Sequence, residues 1–119
     1  MTGTHRGKVV FIAHAYRGDP EANLRDVERY IRYAVEQGQH PCCSWYAMVH
    51  AFDDSDDTIR ARGIATNFEI MSRCDELWVC GARITQGVEA EIDRAFSLRL
   101  PITYIDLDAP IPVTRLSVG

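Results

Sequence analysis

The sequence lacks several features that would assign a chain of this size to a familiar class of protein. No apolar run approaches the ~20 residues that a membrane-spanning helix needs. The first residues, Met-Thr-Gly-Thr-His-Arg-Gly-Lys, have no signal-peptide apolar core. The 13 Lys and Arg residues are scattered and the formal net charge is -4, which argues against a nucleic-acid polymer as partner. We therefore expect a cytoplasmic protein whose partners include neither a membrane nor a nucleic acid.

Metal-binding patterns are also missing. The four cysteines include the adjacent pair Cys42 and Cys43 and fit none of the paired CxxC spacings of structural zinc sites. The four histidines share no helical i, i+4 face. The acidic run at residues 53–57 lacks the later Glu of an EF-hand loop, so it is expected to cap a helix instead. We expect reduced, buried thiols, no metal and no cofactor.

What the chain does have is a regular alternation of strand-like and helix-like segments. Short apolar or β-branched runs predict strands at residues 8–13, 39–43, 76–80 and 101–105. Apolar residues at helical spacing predict helices at residues 20–37, 58–72 and 87–98, and the last of these is expected to turn Val88, Ile92, Ala95 and Phe96 inward. Residues 44–52 are apolar without a clear period, so a loop with one helical turn is expected there.

This alternation predicts one α/β domain that covers residues 1–119, with a core at about 8–106 and tails at 1–7 and 109–119. We expect three layers around a Rossmann-like or flavodoxin-like parallel sheet of order 2-1-3-4, with a possible fifth edge strand from the tail. In that order the carboxyl ends of strands 1 and 3 flank the topological switch point. The loops at 14–18 and 81–87 should therefore face one crevice.

The most informative segment, residues 85–95, opens the helix after the third strand. Thr85 and Gly87 at its start leave unpaired backbone N–H groups where a phosphate or carboxylate binds well. Glu91 lies one turn deeper and could attack a sugar carbon as nucleophile or activate water as base. The alternatives are plain helix capping for Thr85 and Gly87 and a solvated helix position for Glu91.

Other candidate contacts lie on the loops that face the same crevice. The Arg17 guanidinium could form bidentate hydrogen bonds with phosphate oxygens, or it could pair with Asp19. Tyr16 offers a ring for base stacking or for ordinary packing. The remaining candidates are His14 and Gly18 on the first loop, Trp45 after the second strand, and Gly81 and Arg83 after the third. Each of three candidates also has a structural alternative. His14 could be a capped loop residue, Trp45 a core or subunit contact, and Arg83 a solvent-exposed residue.

Two polar residues near the end of the second predicted helix complete the candidate set. Asn67 and Glu69 could each face the crevice from its far side, and helical periodicity does not decide between them.

At this point the sequence shows a family resemblance. The pattern Thr85-x-Gly87-Val88-x-x-Glu91-x-x-Arg94-Ala95 resembles the Ser-x-Gly-x-x-x-Glu signature of the nucleoside 2-deoxyribosyltransferase superfamily, which includes the 2'-deoxynucleoside 5'-phosphate N-hydrolases. The stretches Phe-Ile-Ala-His-Ala-Tyr-Arg-Gly-Asp, Cys-Asp-Glu-Leu-Trp-Val and Arg-Ile-Thr-x-Gly-Val look like a small bacterial and phage branch, the DUF4406 or DUF7768 type. The likeness covers residues 9–105.

The resemblance implies roles for the matching residues. Glu91 would be the nucleophile that attacks the anomeric carbon, Thr85 and Gly87 would hold a 5'-phosphate or 5'-hydroxyl, and Arg17 would contact phosphate. The superfamily usually has an Asp eight residues before the Asp that precedes the third strand, and counting back from Asp75 gives Asn67. An amide cannot deliver a proton to the leaving base. Either Glu69 or another group replaces that acid, or the protein binds nucleotides without cleaving them.

Three functions follow as expectations. The first is an N-glycosidic bond hydrolase or deoxyribosyltransferase that acts on a small nucleoside or nucleoside monophosphate. The alternative is a non-catalytic nucleotide-binding protein that senses or sequesters its ligand, and a structural or protein-interaction role is a third. Relatives often dimerise, so a homodimer or higher homo-oligomer is expected, with the apolar residues 45–52 at the contact.

Overall fold

The computed structural model describes residues 7–53 and 55–116. Strands and helices alternate along this part of the chain, as the sequence predicts. The elements are β1 (Val9–Ala13), α1 (Pro20–Glu36), β2 (His40–Cys42), α2 (Ser44–Ala51), α3 (Asp57–Met71), β3 (Glu76–Cys80), α4 (Gln86–Ser97), β4 (Ile102–Ile105) and β5 (Val113–Leu116).

The five strands form one sheet of order β2-β1-β3-β4-β5. β1 pairs in parallel with β2 and with β3, and β3 pairs in parallel with β4. β5 runs antiparallel to β4 at the edge. The predicted order and the fifth edge strand are confirmed, and the carboxyl ends of β1 and β3 lie side by side at the switch point.

Both faces of the sheet are covered, which gives the three layers expected from the sequence. Successive side chains of β1 point to opposite faces, so Val10 and Ile12 pack against α1, whereas Phe11 and Ala13 pack on the side of α3 and α4. The first core also holds Val27, Tyr30, Ala34, Trp45, Trp78, Cys80 and Ile105. The second holds Met71, Cys74, Leu77, Val79, Val88, Ala95 and Ile102.

Acidic side chains cap the starts of α1 and α3. The Asp19 carboxylate accepts a hydrogen bond from the Ala22 amide at 3.3 Å, with Pro20 in the first helical position. Asp56 accepts from the amides of Thr58 and Ile59 at 2.9 and 3.2 Å, which confirms that the acidic run caps a helix. Asp54 of that run lies outside the described residues.

The prediction for residues 44–52 was wrong, because this segment forms the helix α2. Its N-cap, Cys43, makes no side-chain capping bond, so the usual local signal is absent. A tertiary contact holds the helix instead, since the buried Trp45 indole donates to the Ile12 carbonyl at 3.0 Å.

Two smaller expectations also need correction. Phe96, predicted to face inward on α4, is 49% exposed. The thiols of Cys74 and Cys80 are buried and unbridged, but those of Cys42 and Cys43 are only half-buried. Phe96 follows the buried Ala95 by one residue, about 100° further around α4, and so lies at the edge of the face that packs on the sheet.

Within the described ranges, no helix is long and apolar enough to cross a membrane. Across the same residues, no three His, Cys, Asp or Glu side chains gather into a group that could hold a metal ion.

Candidate functional site

A cavity of about 350 Å³ opens at the carboxyl edge of the sheet, between the loop after β1, the start of α4, and the helices α2 and α3. The two loop regions that the topology predicted to face one crevice both contribute to it. From the loop after β1 come His14, Tyr16 and Arg17, and from the start of α4 come Thr85, Gln86, Gly87, Val88, Ala90 and Glu91.

Glu91 projects into this cavity from the second turn of α4 and is half-buried. Among the described residues that line the cavity, it is the single carboxylic acid. Burial raises the pKa of Glu91 to about 8, because the charged form loses hydration. An acid with this property in a cleft is a candidate for chemistry.

Cys43 lies close enough to Glu91 to be affected by its charge. Burial raises the pKa of the Cys43 thiol to about 12, and the Glu91 carboxylate adds to that rise. The cysteine is therefore a neutral thiol beside the acid, at the first turn of α2.

The start of α4 has the geometry of an anion cradle. The Thr85 hydroxyl accepts a hydrogen bond from the Val88 amide at 3.3 Å, which confirms Thr85 as the N-cap. A Cβ atom built on Gly87 would meet no heavy atom nearer than the Thr85 hydroxyl at 4.0 Å, so the space before Gly87 is open. An anion could approach the helix N-terminus there.

The loop after β1 is fixed from behind by Asn23, a buried residue of α1 that the sequence analysis did not single out. Its amide nitrogen donates to the Tyr16 carbonyl at 2.8 Å and lies 3.4 Å from the Arg17 carbonyl. The Arg83 guanidinium also donates to the Arg17 carbonyl, at 3.3 Å. A polar residue among the apolar positions of α1 was the signal that could have identified Asn23.

Two candidates on these loops support the site without lining it. Gly18 has a φ of 101° and a Cβ there would lie 3.0 Å from the Arg83 guanidinium, so the glycine lets Arg83 cross over the loop. Neither Gly18 nor Arg83 is among the cavity-lining residues.

His14 lines the cavity, but both of its ring nitrogens already have partners. Nδ1 lies 2.7 Å from the Ala15 carbonyl oxygen and Nε2 lies 2.7 Å from the Asp26 carboxylate. Gly81 packs behind the ring, where a Cβ would lie 3.5 Å from Nε2, and does not reach the cavity. His14 therefore contributes a ring surface, and its nitrogens serve the fold.

The structure distinguishes the two polar candidates of α3. Asn67 lines the cavity, and its side-chain oxygen accepts a hydrogen bond from the Ser44 hydroxyl at 2.5 Å. Glu69 is exposed away from the cavity, and its carboxylate lies 3.3 Å from the Arg73 guanidinium and from the Ser72 hydroxyl. The cavity is therefore lined by the amide of Asn67 and not by the carboxylate of Glu69.

The far wall of the cavity comes from α2 and α3 and is largely apolar. The Trp45 and Tyr16 rings meet at 5.9 Å with a tilt of 57°. Besides Trp45 and Asn67, the residues of these two helices that line the cavity are Met48, Val49, Phe52, Ile59, Arg60, Gly63, Ile64 and Phe68. The positions 60, 63, 64 and 67 follow a helical stripe, which is the signal that could have identified them.

Comparisons with known proteins agree with this architecture. Residues 8–105 match the model of a protein family described as a domain of unknown function, DUF7768. Among solved structures, the chain resembles a 2-deoxyribosyltransferase of the psychrotolerant bacterium Bacillus psychrosaccharolyticus, described as a biocatalyst for nucleoside synthesis. The TM-score is 0.68 at 12% identity, over 87% of this chain and 75% of that one. No protein of curated function matches. At this identity the likeness shows a shared fold, which confirms the predicted fold class.

Proposed function

The chain belongs to the DUF7768 family, and from this membership, the shared fold and the residues of the cavity we propose that it cleaves or transfers the N-glycosidic bond of a nucleoside or nucleoside monophosphate. The observation that carries the proposal is the position of Glu91. It is the cavity's carboxyl group in the described part of the chain, and it lies one turn from an open anion cradle.

In the proposed reaction, a carboxylate oxygen of Glu91 forms a bond to the anomeric carbon while the bond from that carbon to the base nitrogen breaks. The electron pair of the broken bond leaves with the base. Water then displaces Glu91 from the sugar in a hydrolase, or a second base does so in a transferase. Glu91 must be ionised for the first step.

The other lining residues divide into two groups by chemistry. The open N-terminus of α4 with Thr85 and Gly87, together with the guanidinium groups of Arg17 and Arg60, suits a 5'-oxygen or 5'-phosphate. The aromatic and aliphatic wall formed by Tyr16, Trp45 and α2 suits a flat base. The ligand would then place its anomeric carbon between the two groups, near Glu91.

The test is to incubate the protein with a panel of nucleosides and nucleoside monophosphates and to separate the products by chromatography. Glu91→Gln should abolish release of free base, because the amide cannot act as the nucleophile. Glu89→Gln is the matched control, since Glu89 is exposed on the same helix. Release that persists unchanged in Glu91→Gln would refute the proposal.

A second candidate function is nucleotide binding without turnover, as in a sensor or a sequestering protein. Two observations favour it. The Asn67 amide cannot transfer a proton to the departing base. A pKa of about 8 leaves most Glu91 side chains neutral at pH 7. Calorimetry with the same panel would then show binding, and the ligand would be recovered intact from the wild-type protein.

A homo-oligomer stays a prediction. Within the apolar segment expected at the contact, Trp45 is buried in the core, whereas Phe52 at the cavity rim is 49% exposed. Sedimentation of the wild-type chain and of Phe52→Ser would show whether this end of α2 joins subunits.

A further inference from the structure

We propose that the Asn67 amide, oriented by the Ser44 hydroxyl, is a hydrogen-bond donor that selects ligands whose base presents an acceptor atom. Asn67 would touch the base, and Ser44 would be a positioning residue that acts through Asn67. This inference rests on the proposed function, because it assumes that a nucleoside occupies the cavity.

The first step of the argument is the orientation of the amide. Ser44 is the first residue of α2 and Asn67 lies in the third turn of α3, so their contact joins the two helices that form the far wall. The Ser44 hydroxyl donates to the Asn67 side-chain oxygen at 2.5 Å. Because the oxygen end of the amide is engaged, the opposite end presents the NH₂ group with its two donors.

The second step is that these donors are available to a ligand. Within residues 7–53 and 55–116, no side chain or carbonyl accepts a hydrogen bond from the Asn67 amide nitrogen. No buried side-chain nitrogen or oxygen in the same ranges is without a partner, so this half-buried residue must keep its amide nitrogen accessible. Asn67 lines the cavity, which is where a ligand atom can reach it.

The surroundings of Asn67 make its donors selective. The neighbouring cavity residues on α2 and α3 include Met48, Ile64 and Phe68, which offer a ligand no polar atom of their own apart from a thioether. A ligand that covers the amide without accepting a hydrogen bond would strip it of water and leave it unpaired, which is unfavourable. Sites built in this way reject analogues that lack the complementary polar atom.

The reaction chemistry indicates which atoms of the base would accept hydrogen bonds from the Asn67 amide. When the glycosidic bond breaks, the base takes the electron pair, and negative charge spreads to its ring nitrogens and carbonyl oxygens. Two N–H groups directed at such an atom would stabilise the departing anion, although they would transfer no proton to it. The base would then take its proton from water. The favoured substrates are nucleosides with an acceptor on the base edge that faces Asn67.

Binding measurements in a Glu91→Gln background would test the donor role, because the ligand then stays intact. The probes are 2'-deoxyadenosine, 2'-deoxyuridine and the 2'-deoxyriboside of indole, whose ring has no acceptor nitrogen or carbonyl. At least one natural nucleoside should bind about tenfold more tightly than the indole nucleoside. Adding Asn67→Ala should bring that ratio close to one.

Substitutions of Ser44 test whether this residue orients the Asn67 amide or only holds α2 and α3 together. Ser44→Ala should reduce the preference for the natural nucleoside by about threefold or more, and Ser44→Thr, which keeps the hydroxyl, should retain it. In the presence of Asn67→Ala, Ser44→Ala should no longer change the ratio. A clamp alone would weaken all three probes by the same factor and lower the melting temperature.

The outcomes distinguish this inference from the function on which it rests. If the natural and indole nucleosides bind equally well, or if the preference survives Asn67→Ala, the donor role is overturned while a nucleoside site remains. If none of the probes binds, the proposed function fails and the donor role fails with it.

Discussion

Glu91 is a carboxyl group whose environment favours its neutral form, although the proposed reaction needs the anion. Because burial raises its pKa to about 8, the reactive fraction should fall by about tenfold for each pH unit below that value. We therefore expect kcat/KM for base release to rise between pH 6 and pH 8 and to level off above it.

Rates measured over this range in several buffers, with Glu89→Gln as the control, would check the prediction. The control should keep the wild-type profile, because Glu89 is exposed on the solvent side of α4. A flat profile between pH 6 and pH 9 would mean that the ligand itself ionises Glu91 or that another group does the chemistry.

Arg60 allows a test of whether the ligand carries a phosphate. It lines the cavity, and its ion pair with Asp57 is long, at 3.8 Å, and exposed. Arg60→Ala should weaken binding of a nucleoside monophosphate by about tenfold while changing affinity for the parent nucleoside by less than about twofold.

Arg62 is the matched control for this test, since it is exposed on the same helix and does not line the cavity. Calorimetry on Arg60→Ala and Arg62→Ala with both ligands gives the comparison. Equal losses for the nucleoside and the monophosphate would show that Arg60 does not meet a phosphate.

At the scale of a single element, the start of α4 separates stability from binding. Gly87 is the second residue of the helix, and a methyl group there would enter open space. Gly87→Ala should therefore leave the free energy of unfolding unchanged or raise it by up to about 1 kcal/mol, because alanine favours the helix. The same methyl group would fill the anion cradle and should lower ligand affinity by about tenfold.

Thermal melting and calorimetry on the one variant would check both halves of the prediction. A loss of stability would show that the glycine serves the fold. Unchanged affinity would show that the ligand does not approach the helix N-terminus.

The elements that could be predicted from the sequence are those with local signals. Asp19 with Pro20 fixes the start of α1, and Thr85 fixes the start of α4 to within a residue. α2 has no such signal, because Cys43 does not cap it and its apolar residues face two different surroundings. Its helical form depends on the contact between Trp45 and β1, which no local pattern encodes.

The same distinction applies to the site. Glu91, Thr85 and Gly87 could be predicted because they share one turn and a half of a single helix that follows a strand. The position of Arg60 on the opposite wall and the contact of Ser44 with Asn67 could not, because both depend on how α2 and α3 pack together. Local sequence motifs therefore predict the side of the cavity that α4 forms, whereas the opposite side depends on long-range packing.

For the molecule as a whole, the half-buried Glu91 links folding to pH. The native state holds the Glu91 proton up to about pH 8, whereas in an unfolded chain the carboxyl has its ordinary pKa of 4.5. Between these values the unfolded state binds fewer protons, so this group makes the free energy of unfolding fall as pH rises. Glu91→Gln removes that dependence.

Melting curves at pH 5 and pH 8 would measure the effect. At pH 8 Glu91→Gln should melt at least about 3 °C above the wild type, and the gap should narrow towards pH 5, which lies close to the pKa of this carboxyl in the unfolded chain. Glu89→Gln should show no such trend. A gap that is constant with pH would mean that Glu91 is hydrated in the native state.

The two walls of the cavity are attached to the fold with unequal strength. α4 buries Val88 and Ala95 on either side of Glu91, whereas α3 has Met71 as its one fully buried residue in the described part and leaves Ile64 48% exposed. Replacing α3 residues such as Ile64 therefore costs little folding free energy, while moving Glu91 would disturb the core. Substitutions in α3 can therefore reshape the far wall of the cavity while the position of Glu91 on α4 stays fixed.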